Sequence, residues 1–72
     1  MKLYWPCAII LISDNDEIGT DKISTYDGEF DIEKAKAQID MWKFGYDYDI
    51  QEAWIDVYEN GQKVERIDVI NE

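Results

Sequence analysis

Apolar residues run almost without interruption from Leu3 to Ile12, with Ile9, Ile10, Leu11 and Ile12 consecutive, and Leu3–Ser13 reads as the first strand. A run of this kind suits a central strand that is covered on both faces, one of them by a partner chain if need be. Pro6 has no N–H, so pairing is expected to start after it or to leave it at an edge. Asp14–Asp21 reads as a polar loop, and Lys22–Tyr26 as a short second strand paired back on the first. Asp27-Gly28 would close that strand, with the glycine taking positive φ.

The pattern then changes period. Ile32, Ala35, Ile39 and Trp42 fall on one helical face, and Asp31 stands where an N-cap carboxylate belongs. Glu33 near the start and Lys43 near the end complement the helix dipole. Gly45 fits the left-handed position after a last turn. The predicted helix is Ile32–Phe44. Tyr46-Asp47-Tyr48-Asp49 alternates aromatic and acidic residues and reads as a connector.

Glu52–Tyr58 and Lys63–Ile70 then alternate around Glu59-Asn60-Gly61, a strong hairpin signal. A two-residue turn at Asn60-Gly61 would oppose Asp56 to Glu65 and split the apolar faces. A three-residue loop with Gly61 as the bulge residue pairs Ala53 with Ile67 and Trp54 with Arg66. That register gathers Ala53, Ile55, Val57, Ile67 and Val69 on one face. It also lays Arg66 on Trp54. The element order β-β-α-β-β predicts a single α+β domain over residues 1–72. Its antiparallel four-stranded sheet has the order β2-β1-β3-β4, with the helix packed on one face. The expected core is Ile9, Leu11, Ile32, Ile39, Trp42, Ile55, Val57 and Ile67.

Composition narrows the chemistry. In 72 residues there are 17 acidic and 7 basic side chains, a net charge of -10, which exceeds what solubility requires of a small domain. Histidine is absent, which removes His-based acid/base chemistry, Ser-His and Cys-His pairs, and most zinc sites. Cys7 is the single cysteine, so no internal disulfide forms, and it is expected as a small buried hydrophobe. The apolar N-terminal run lacks the basic region and cleavage site of a signal peptide, and no stretch reaches membrane-spanning length. The expected location is cytoplasmic, without membrane contact.

Asp14-Asn15-Asp16-Glu17-Ile18-Gly19 resembles the opening of a calcium loop. Ile18 and Thr25 then stand where oxygen ligands are required. No metal or cofactor is expected. Carboxylate pairs are unavoidable at this acidity and do not indicate an enzyme, and no phosphate-binding glycine loop is present. The charge disfavours direct nucleic-acid binding. It suits the converse, a carboxylate surface occupying the basic groove of a nucleic-acid-binding protein. Three acidic clusters recur, at Asp14–Asp21, Asp27–Glu33 and Asp47–Asp56.

Trp54 and Tyr58 alternate away from the expected core, and with Tyr4 and Tyr26 they suggest an uncovered aromatic sheet face. The leading expectation is a non-enzymatic acidic module that binds a basic protein. Its role would be that of an inhibitor, a nucleic-acid mimic or an immunity-like protein, a style associated with phages and mobile elements. The expected partner-binding residues are Trp54, Asp56, Tyr58, Asp14, Asp16 and Glu17. The alternative is a homodimer paired through the open sheet face.

Overall fold

The computed structural model describes residues 1–69, so the expected strand end at Ile70 lies outside them. Strand β1 spans Lys2–Asp14, β2 Glu17–Ser24, β3 Asp49–Glu59 and β4 Gln62–Asp68. Helix α1 spans Ile32–Asp40 and continues into one π turn, Met41–Gly45. All pairings are antiparallel, in the order β2-β1-β3-β4. This is the predicted α+β architecture. Among the described residues no helix is long and apolar enough to cross a membrane.

The core forms where α1 crosses one sheet face. Ala35, Ile39 and Trp42 meet Ala8, Ala53, Ile55 and Val57, and Ile32 and Ile67 pack at its margin. On β3 and β4 the alternation read from sequence holds. On β1 the two residues expected in the core, Ile9 and Leu11, face the other way. Ala8 and Ile10 are buried, Ile9 is half-buried on the opposite face, and Leu11 is 36% exposed. Ile9 and Leu11 are therefore not core residues. A continuous apolar run carries no alternation to choose a face, and Ala8 lets α1 approach the sheet closely.

Pro6 is fully buried and pairs with Ile55, inside the β1–β3 ladder. Backbone groups of alternate residues point to opposite neighbours. Tyr4 exchanges both its bonds with Glu29, on the β2 side, and Pro6 faces that same side. There β2 has already ended at Ser24, opposite Cys7. The missing N–H thus falls in the gap between Ser24 and Glu29, and pairing with β3 continues past it.

The acidic loop expected at Asp14–Asp21 is a tight turn instead. Asn15 and Asp16 take φ of 49° and 70°, and Asp14 pairs directly with Glu17. Two consecutive left-handed residues match the right-handed twist of a hairpin. Strand β2 accordingly begins at Glu17 rather than Lys22 and ends before Tyr26. β1 meets β3 only as far as Leu11, so the hairpin tip projects beyond the sheet. This accounts for the elongated envelope of 44 × 23 × 21 Å.

Turn chemistry differs in three further places. Asn60 and Gly61 form a two-residue turn with φ of 53° and 83°, and Glu59 pairs with Gln62. The register then shifts between Val57 and Tyr58, with Val64 as the extra residue. Ile55 therefore pairs with Ile67 and Trp54 with Asp68, not Ala53 with Ile67 and Trp54 with Arg66. The bulge moves out of the loop into β4, and the apolar faces still coincide. Asp31 caps α1 as expected, its Oδ1 accepting the Glu33 N–H at 2.9 Å. The helix does not end at a left-handed Gly45. The Tyr46 N–H donates to the Met41 carbonyl at 2.9 Å, an i→i−5 bond, and Asp47 takes the positive φ, 60°. Gly28 also lacks positive φ, since Gly61 is the glycine that adopts it among the described residues. Gly28 is required for another reason: a Cβ there would lie 2.7 Å from Trp5 Cε3.

Candidate interaction surfaces

Trp54, Asp56 and Tyr58 share the face of β3 that α1 leaves uncovered, as their alternation requires. Trp5 and Cys7 lie beside them on β1, paired with Asp56 and Trp54. Trp5 meets Tyr58 edge to face, with ring centres 5.3 Å apart. Tyr4 points the other way, against the core, and Tyr26 is fully exposed in the loop after β2. The aromatic face is thus Trp5, Trp54 and Tyr58, without Tyr4 or Tyr26.

This face is largely closed by the protein's own cations. The Arg66 guanidinium sits 4.2 Å from the Trp54 ring centre, and Lys22 Nζ 5.8 Å from it. Arg66 is held there by Glu52 Oε1 at 3.0 Å and Asp68 Oδ1 at 3.1 Å. Hydrogen bonds to Asp68 and then Glu52 raise its pKa. Lys63 Nζ lies 3.2 Å from Asp56 Oδ1. Trp54 is consequently only 6% exposed and Asp56 8%. Neither presents a broad contact area.

What stays open is a pocket of about 470 Å³, lined in part by Leu3, Trp5, Cys7, Lys22, Asp56 and Tyr58. At its base Cys7 Sγ lies 3.8 Å from Asp56 Oδ2, while Asp56 Oδ1 is partnered by the Lys63 ammonium. Burial, followed by the adjacent Asp56 carboxylate, pushes the Cys7 thiol pKa up. A protonated thiol is a poor nucleophile and a poor metal ligand. The pocket therefore offers a mixed polar and aromatic lining, with a thiol that burial favours in its protonated form.

Asp14, Asp16 and Glu17 lie elsewhere. They are exposed at the tip of the projecting hairpin. Asp56 pairs with Trp5, nine residues from Asp14 along β1, or about 30 Å of extended chain. The six residues expected to bind a partner thus form two separate surfaces. No group of three or more acidic or cysteine side chains among the described residues is arranged to hold a metal ion.

The hairpin tip has a different neighbour. Leu11 pairs with Asp49, which brings the Tyr46–Asp49 connector to the base of the tip. Residues 11–21 and 44–53 contain no lysine or arginine, yet they carry Asp14, Asp16, Glu17, Asp21, Asp47, Asp49 and Glu52. One end of the molecule is therefore strongly acidic. Lys22, Lys63 and Arg66 lie on the open sheet face, where they meet Trp54, Asp56, Glu52 and Asp68. Met41, Phe44, Tyr46 and Tyr48 are also exposed at the acidic end. Their sequence signal is the aromatic-acidic alternation of residues 46–49, which by itself is indistinguishable from a connector. No known protein family, curated protein or solved structure matches the chain.

Proposed function

We propose that this protein is a non-enzymatic acidic interaction module that binds a basic protein surface, as an inhibitor or nucleic-acid mimic does. The observation that carries the reading is the Leu11–Asp49 pairing, which sets two cation-free acidic stretches side by side. Asp14, Asp16, Glu17, Asp47 and Asp49 there are exposed and form no ion pair among the described residues, so their field extends into solvent instead of being neutralised within the fold. Proteins that grip nucleic acid present the complementary positive groove. The test is an affinity pull-down at low and high salt, followed by displacement with duplex DNA. The reading expects a basic protein that is held at low salt and released both by salt and by DNA. Retention of no basic protein at low salt overturns it.

A second reading is a homodimer through the open sheet face. It is favoured by Leu3, Trp5 and Ile9, which stay half-buried on that face, opposite the face on which α1 packs. Net charge opposes self-association, so salt should strengthen such a dimer while weakening a basic complex. Sedimentation at two salt concentrations separates the two readings.

A further inference from the structure

We propose that the acidic end binds arginine side chains through an aromatic shelf formed by Met41, Phe44, Tyr46 and Tyr48. The proposal rests on the interaction-module reading and names the part of the surface that makes the contact.

In the eight residues from Met41 to Tyr48, Trp42 alone is buried. Phe44 is 74% exposed and Tyr46 61%. Tyr46 and Tyr48 stack with ring centres 5.6 Å apart and planes 21° from parallel. The π turn accounts for this display. Its wider i→i−5 closure keeps Trp42 in the core, and left-handed Asp47 then turns the chain toward β3. Large aromatic residues exposed together in so small a chain are a mark of an interaction surface.

Three features of the shelf select a cation. The aromatic faces attract positive charge, as Lys43 Nζ already does 5.4 Å over the Phe44 ring. Asp40 and Asp47 are exposed beside it and take part in no ion pair or side-chain hydrogen bond among the described residues, while Asp49 accepts one from Gln51. The C-terminal end of the helix adds its own negative dipole. Among basic side chains arginine fits best, because its planar guanidinium stacks on a ring and can still pair with a carboxylate.

The experiment titrates isotope-labelled full-length protein with oligo-arginine and oligo-lysine peptides of equal length, at low salt, by NMR. The largest amide shifts are expected across Met41–Asp49. Oligo-arginine should bind tighter by about two- to five-fold for each stacked guanidinium. Tyr46→Ser with Tyr48→Ser should erase that preference, and Asp47→Asn, which suits the left-handed backbone, should weaken both peptides. Shifts concentrated at Asp14–Asp21, or equal affinity for the two peptides, overturn the shelf while the interaction-module reading stands. Absence of binding by either peptide removes both.

Discussion

The Arg66 guanidinium lies 4.2 Å from the Trp54 ring centre, although register pairs Arg66 with Asp56 and Trp54 with Asp68. The contact is therefore diagonal across two strands, within reach of a long side chain. Glu52 and Asp68 hold the guanidinium in place. Arg66→Ala should uncover Trp54, read as a shift of its assigned indole N–H resonance by NMR in the otherwise unchanged protein. Arg66→Lys should restore little of the cover, because an ammonium cannot make both carboxylate contacts and cover the ring.

Trp42 is the largest side chain of the core and lies at the junction of α1 and the π turn. Trp42→Ala should cost about 3–5 kcal/mol, comparable with the whole stability of a small domain. Urea unfolding followed by circular dichroism should find the variant largely unfolded or shifted to a much lower midpoint.

The face chosen by β1 can be tested with two substitutions. Ala8 is fully buried, in one core with Ala35. Ala8→Leu should overpack that contact and cost about 1–3 kcal/mol. Leu11→Thr, on the other face, should stay within about 0.5 kcal/mol of the parent. The reverse order of effects in denaturation would contradict the parity.

Asp16 holds φ of 70° at the first hairpin turn. Glycine accepts that conformation without strain, and Asn-Gly is a favoured turn pair. Asp16→Gly should stabilise the fold by up to about 1 kcal/mol, read as a higher melting temperature.

Cys7 should make stability fall in alkali. Its folded pKa is raised by burial and by Asp56. The unfolded thiol therefore ionises first, from about pH 8.5 upward. Above that point the unfolded state binds fewer protons than the folded one, so stability declines until the folded pKa is passed. Cys7→Ala should flatten this part of the stability profile. A thiol reagent should label native Cys7 far more slowly than the unfolded chain.

Local chemistry was legible where one residue type does one job. Asp31 capped the helix, Asn60-Gly61 marked where the second hairpin lies, and the alternation of Ala53, Ile55 and Val57 chose the buried face of β3. The hairpin register was not legible. Two solutions keep Ile55 and Ile67 on one face, and the choice between them depends on where the extra residue fits. The candidate surface was legible in composition but not in place. Clustered carboxylates are visible in the chain, whereas the Leu11–Asp49 pairing that joins them is long-range.

The sequence by itself determined the order of elements, the helix start and the acidity, because propensity, capping and alternation act over a few residues. Tertiary structure alone decided the rest. The all-apolar run of β1 acquired a face only when α1 packed on Ala8, and Pro6 found its gap only because β2 stopped at Ser24. Trp54 and Asp56, which alternation assigns to an open face, are covered by Lys22, Lys63 and Arg66 from neighbouring strands. Such cover depends on which side chains meet across strands, and no periodicity within one strand encodes it.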